Sequence, residues 1–157
     1  DYAGSTHDDG DGAESLYCFD EPILAPADGT VVRAKDGHRD HHRTTGWIDP
    51  LQYRLAWNYV LIKHAENEYS FLAHLKQGSI SVKKGDDIDQ GQEIGRCGHS
   101  GNSSEPHLHF HVQDHPIPYI GAGLPIQFHA ATNHLESQPS ERSQTYIHCG
   151  QTISQYV

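Results

Sequence analysis

The run Glu105-Pro106-His107-Leu108-His109-Phe110-His111 brings three imidazoles within a few residues of one another. A β-strand turns alternate side chains to one face. His107, His109 and His111 are therefore expected to project together, with about 6–7 Å between successive ones. Neutral imidazole nitrogen suits zinc, and two such groups on one rigid strand begin a site for that ion. The turn-forming segment Gly98-His99-Ser100-Gly101-Asn102-Ser103-Ser104 comes just before, which places the histidines at a strand entrance rather than deep in a core. Taken alone, a His-x-His reads better as an ordinary, partly exposed strand. Its surroundings in this chain favour chemistry.

The other reactive side chains are scattered. His74 and His64 each end an apolar run, and a histidine in that place, taken in isolation, reads as one bonded to a backbone carbonyl. His38, His41 and His42 stand beside Arg39 and Arg43, which reads as a solvated loop. His111 lies one pleat beyond His109 and is expected to support that residue or to be exposed. Cys18, Cys97 and Cys149 are far apart, so no thiolate zinc site is expected. One disulfide is compatible with three cysteines, Cys18 with Cys97 among the pairings, and their state stays open. Cys97 is expected to be a small buried side chain rather than a nucleophile.

The chain has 157 residues, enough for one compact domain whose core needs no metal or disulfide. Hydrophobic residues make up 35% and the mean hydropathy is −0.69, so that core is modest and loops are extensive. Lys plus Arg number 11 against 21 Asp plus Glu, a net charge of −10 with neutral histidines. Phosphate recognition needs clustered cations, which argues against nucleic acid or anionic membrane as the main partner. The 14 histidines would cut the negative charge below about pH 6.5 and enlarge the pool of metal ligands. No stretch reaches the roughly 18–20 apolar residues of a membrane span. The absence of methionine reads as a processed or trimmed product, and no signal peptide is visible.

The frame that must hold the histidines reads as strands. Residues 1–21 are polar and glycine-rich and read as an N-terminal loop. Ile23 to Arg33 reads as strand, tight turn at Asp28-Gly29, strand. Residues 36–56 lack steady periodicity and read as a long loop. Asn58 to His64 and Tyr69 to His74 are β-rich and joined as a hairpin by Ala65-Glu66-Asn67-Glu68. Ile80 to Val82, Ile88 and Glu93 to Arg96 read as short strands, and His107 to Gln113 as the next. No segment carries a helical apolar stripe, so the predicted fold is all-β, a single antiparallel sheet or sandwich domain over residues 1–130. Residues 131–157 are expected to be a polar C-terminal extension packing on or trailing from it, with a strand-like piece around Tyr146-Ile147-His148.

Five segments, taken in order, carry a resemblance. They are Ala25-Pro26-Ala27-Asp28-Gly29-Thr30-Val31-Val32, Ala73-His74-Leu75, Val82-Lys83-Lys84-Gly85-Asp86-Asp87-Ile88, Gly91-Gln92-Glu93-Ile94-Gly95 and Pro106-His107-Leu108-His109-Phe110. Over residues 20–115 the chain resembles the lysostaphin/LytM-type zinc metallopeptidases. The glycine-punctuated segments also occur in lipoyl-type and sugar-phosphotransferase domains; the combination with His74 and the His-x-His is the specific part. The resemblance implies a duplicated-hybrid-motif β fold, a Zn2+ cofactor and hydrolysis of peptides in bacterial peptidoglycan. It also implies a secreted, periplasmic or cell-wall-associated location.

By the same resemblance His109 is a zinc ligand, while His107 and His74 flank the metal and act on water and substrate. The family's other two ligands come from a His-x-x-x-Asp motif. Asp1, followed by Tyr2-Ala3, matches the Asp of that motif, with its histidine four positions upstream; His7 and Asp11 form a literal alternative pair within the chain. Leu72 departs from the family, where a tyrosine often stands two residues before the histidine, and its loss is expected to weaken contacts near the site. Zinc with three protein ligands and one open position can bring bound water from a pKa of 15.7 to about 7. One imidazole can then move the proton and the other polarise the carbonyl or stabilise the oxyanion. Which histidine does which stays open. The alternative reading is a catalytically inactive wall-binding or amidase-activating module on the same scaffold. A carrier domain would need an exposed lysine or a phosphorylatable histidine at a hairpin tip, and the Lys83-Lys84-Gly85 turn is ordinary.

Overall fold

The computed structural model describes residues 10, 12–42, 57–118, 120–133, 140–145 and 153–155. The chain divides into two compact units, residues 1–122 and 123–157. The first contains β1 (Pro22–Leu24), β2 (Gly29–Lys35), β3 (Tyr59–Ala65), β4 (Glu68–Ala73), β5 (Asp87–Ile88), β6 (Glu93–Arg96) and β7 (His109–Gln113). Within this unit β5-β2-β3-β4-β7 lie side by side in one sheet, and β1 pairs with β6 in another. All these pairings are antiparallel. The second unit holds β8 (Gly123–Leu124), β9 (Phe128–Asn133), β10 (Ser140–Thr145) and β11 (Ile153–Gln155), with β9 antiparallel to both β10 and β11. Among the described residues the only helical segment is one 3-10 turn, Ala13–Ser15. The all-β expectation holds.

Tyr59 to Ile62 of β3 and Phe71 to Ala73 of β4 are unbroken apolar runs because both of their faces are covered. Val60, Ile62 and Leu72 pack with Ile23, Ile94 and Leu75 in one cluster. Tyr59, Leu61, Tyr69, Phe71 and Ala73 form a second cluster. The period-2 alternation of strands sends odd-numbered residues of β3 and β4 to the second cluster and even-numbered ones to the first. The turn between them follows the predicted hairpin, closing Ala65 onto Glu68 with Asn67 at φ 57°.

One expected turn lies between sheets, and two expectations need correction. The tight turn at Asp28-Gly29 joins two strands as expected, but it is a corner between sheets, since β1 pairs with β6 while β2 pairs with β3 and β5. Asp28 Oδ1 accepts from Gln90 N at 2.7 Å, and a Cβ on Gly29 would lie 2.5 Å from the Lys63 carbonyl, so the chain must pass too closely for any other residue. Ile80–Val82 makes no ladder: Ser81 N donates to Ile94 O at 3.2 Å and Val82 is buried, but the segment is irregular. The N-terminal segment is not all loop, because Ala13, Ser15 and Leu16 are buried and Ala13 N donates to His42 O. Residues 43–56 of the expected long loop, and Tyr146–His148, lie outside the described residues.

Candidate active site

β4 and β7 pair so that Ala73 faces His109, Phe71 faces His111 and Tyr69 faces Gln113. This register puts the end of β4, where His74 leaves the sheet, beside the start of β7. His74 adopts φ 63°, a left-handed backbone that costs a non-glycine residue about 1–2 kcal/mol. The turn takes His74 out of the strand alternation, and the residue is 5% exposed. Its Nδ1–H donates to Ser100 O at 2.8 Å, its carbonyl accepts from Gly98 N at 3.0 Å, and Trp57 packs edge-on at 5.5 Å. Burial pushes the His74 pKa down to about 4, outweighing the hydrogen bond to Ser100. His74 is therefore neutral near pH 7, with the lone pair on Nε2.

His107 lies 4.7 Å from His74 between ring centroids, and His109 lies 5.9 Å from His74. The three predicted imidazoles come together. His107 does so differently from expectation: β7 begins at His109, so His107 is held outside the ladder. Its Nδ1–H donates to Glu105 O at 2.7 Å, and Ser103 Oγ, which donates to the same carbonyl at 2.6 Å, stands 3.2 Å from that nitrogen. Pro106 cannot donate a backbone N–H, which suits a turn that ends pairing here. His107 thus also presents Nε2 as an acceptor. His109 sits against Phe71 at 5.9 Å, with burial lowering its pKa, and its Nε2 lies 2.9 Å from His111 Nδ1.

Side chains that the sequence reading passed over hold this arrangement. Asn58 is fully buried: Nδ2 donates to His38 O at 2.8 Å and Leu75 O at 2.9 Å, and Oδ1 accepts from His38 N at 2.8 Å. Ser100 Oγ donates to Leu75 O at 2.8 Å and accepts from Asn58 N. Asp40 accepts from His99 N at 2.7 Å and Gln77 N at 2.8 Å. A Cβ on Gly98 would overlap the Lys76 backbone. The available signal was an Asn opening an apolar run and an Asp within a polar, histidine-rich stretch, which is weak because such residues are common in exposed turns. We expect Asn58→Ala to cost about 3 kcal/mol in urea unfolding, since it removes three hydrogen bonds made by a fully buried side chain.

Other candidates are structural. His64 is tied to Asp28 O at 2.7 Å and Ser70 Oγ at 2.6 Å. His41, read as part of a solvated loop, donates Nε2–H to Gly101 O at 2.7 Å and braces the segment before the site. Leu72 is buried with Val60 and Ile62 and pairs with Phe110, so a phenol there would enter the core rather than approach His109. Cys97 is buried and its thiol is pushed up to about 12, while Cys18 Sγ donates to Pro106 O at 3.0 Å; both are free thiols. Cys149, Asp1, His7 and Asp11 lie outside the described residues.

A dication needs deprotonated donors whose second nitrogen is held by a partner. His74 and His109 are held neutral by burial, and His109 carries such a partner in His111. The donor chemistry fits zinc. Among the described residues no group of three His, Cys, Asp or Glu could by itself hold a metal ion.

Residues 11–119 match Peptidase family M23. Two proteins of Vibrio cholerae serotype O1 are similar in sequence. Peptidoglycan DD-endopeptidase ShyA is 30% identical over 107 residues, 67% of this chain and 21% of that protein. Peptidoglycan DD-endopeptidase ShyB is 36% identical over 118 residues, 74% of this chain and 24% of that protein. The chain thus spans about a fifth to a quarter of the length of these relatives. Among solved structures, the catalytic domain of a variant of the prophage-encoded M23 protein EnpA from Enterococcus faecalis aligns with a TM-score of 0.50 at 24% identity. The alignment covers 79% of this chain and 81% of that one, a likeness of fold.

Proposed function

Because the chain belongs to peptidase family M23, we propose that it is a zinc-dependent endopeptidase acting on peptide cross-links of bacterial peptidoglycan. The observation that carries the reading is the meeting of His74, His107 and His109, two of them with Nδ1 committed to backbone carbonyls. The substrate class is taken from the peptidoglycan endopeptidases it resembles. His109 would hold the ion together with Asp1, or, in the alternative, with the pair His7 and Asp11. When bound, zinc supplies Lewis acidity toward water and the scissile carbonyl.

The residues of this chain supply positioning and proton transfer. His107, whose lone pair is on Nε2, takes the proton of the attacking water and returns it to the leaving amine. His74 in its neutral form is also an acceptor at Nε2, which supports a role in orienting that water. Acting on an oxyanion would first require His74 to take up a proton, and burial opposes this. Retention of all three imidazoles supports hydrolysis over a non-catalytic wall-binding or amidase-activating module. Action on the wall places the protein outside the cytoplasm, in the periplasm or at the cell wall. Among the described residues no helix is long and apolar enough to cross a membrane.

Purified protein incubated with peptidoglycan sacculi is expected to release new amino termini from the cross-links. Removing metal with a chelator should stop this, and added zinc should restore it. Cleavage that persists under chelation, or zinc-loaded protein that leaves sacculi intact, would overturn the proposal.

A further inference from the structure

The chain beyond His109 continues as a single line of hydrogen bonds on the same face of β7. His109 Nε2 lies 2.9 Å from His111 Nδ1, and His111 Nε2 lies 2.8 Å from Gln113 Oε1. Gln113 is 1% exposed and donates its amide Nε2 to two backbone carbonyls, His115 O and Ile117 O at 3.0 Å. We infer that Gln113 and His111 are positioning residues that fix the tautomer of His109, so that Nδ1 is the nitrogen left for a metal ion. This rests on the zinc reading above but can be tested apart from it.

The direction follows from donor counting. An amide has donors only on nitrogen and acceptors only on oxygen. Two carbonyl acceptors around Gln113 Nε2 orient the amide, because the flipped form would set Oε1 against two other oxygens. Oε1 must then accept, so His111 Nε2 carries the proton. A neutral imidazole has one proton, which leaves His111 Nδ1 as an acceptor. That acceptor needs the proton of His109 Nε2, and His109 Nδ1 is left with the lone pair. The reverse assignment would face the His111 Nε2 lone pair against the Gln113 oxygen.

The surrounding structure makes the line rigid. Phe71 packs against both rings, at 5.9 Å from His109 and 5.1 Å from His111. The carbonyls that orient Gln113 lie on the loop after β7. Asp114 N donating to Ala122 O at 3.1 Å, and Ala122 N donating to Asp114 Oδ1 at 2.8 Å, close that loop. A partner that sets ligand tautomer typically contributes 10–100-fold in metal affinity.

The test reads ring-nitrogen protonation by ¹⁵N NMR in metal-free protein at a pH where the imidazoles are neutral. It also reads zinc affinity by competition with a chelator. In the unsubstituted chain His109 should be protonated at Nε2 and not at Nδ1. His111→Leu should give a mixture of tautomers and bind zinc about 10–100-fold more weakly. His111→Asp keeps an acceptor near the place of Nδ1 and cannot donate when ionised, so it should restore both the tautomer and the affinity. Gln113→Leu breaks the line from its far end and serves if His111→Leu does not fold. His109 protonated at Nδ1 in the unsubstituted chain, or unchanged zinc affinity in the leucine variants that fold, would overturn the inference. The expected tautomer in a chain that takes up no zinc would uphold the relay and overturn the metal reading instead.

Discussion

Replacing His109 with alanine is expected to remove zinc binding and hydrolysis together. His109 begins β7 opposite Ala73, and its second nitrogen is engaged by His111, the pattern of a ligand held from behind. Loss of a supporting partner costs roughly 10–100-fold in metal affinity, so loss of the ligand itself should cost more. Metal analysis of the purified variant and its action on sacculi check both parts at once. The fold should survive, because His109 is only half-buried and the sheet it joins is held mainly by Val60, Leu61, Ile62, Phe71 and Leu72. A variant that is folded and retains full zinc would remove His109 from the metal set.

Replacing His107 with alanine is expected to separate the two properties. It stands beside His74 but outside the β7 ladder, with Nδ1–H tied to Glu105 O, so its lone pair can work on protons. Zinc content should stay near that of the unsubstituted protein, while kcat falls about 10²–10⁴-fold, the usual contribution of a positioned acid–base group. KM should change little. Zinc lost in proportion to activity would instead make His107 a ligand.

Much of this arrangement was legible from residue order. The strand Glu93–Arg96, the β3–β4 hairpin and the grouping of His74 with His107 and His109 all follow from apolar runs, turn residues and motif order. The corner at Asp28-Gly29 was not, because a Pro-x-Asp-Gly turn looks alike whether it joins two strands of one sheet or passes between sheets. What distinguishes them is Gln90, sixty-two residues away, bonding Asp28. The bracing by Asn58 and Asp40 was invisible for the same reason: each acts on backbone from distant segments. Residue order left His111 either supporting His109 or exposed; its place behind His109 is fixed by Gln113, whose amide only the folded loop orients.

The backbone of His74 has one more consequence. A left-handed conformation is one that glycine adopts without penalty, so mutation followed by selection for a sturdier fold alone would drift towards glycine at this position. Retaining an imidazole there means that the molecule tolerates a standing local tension at the rim of the sheet. That tension marks position 74 as one where endurance and chemistry ask for different residues.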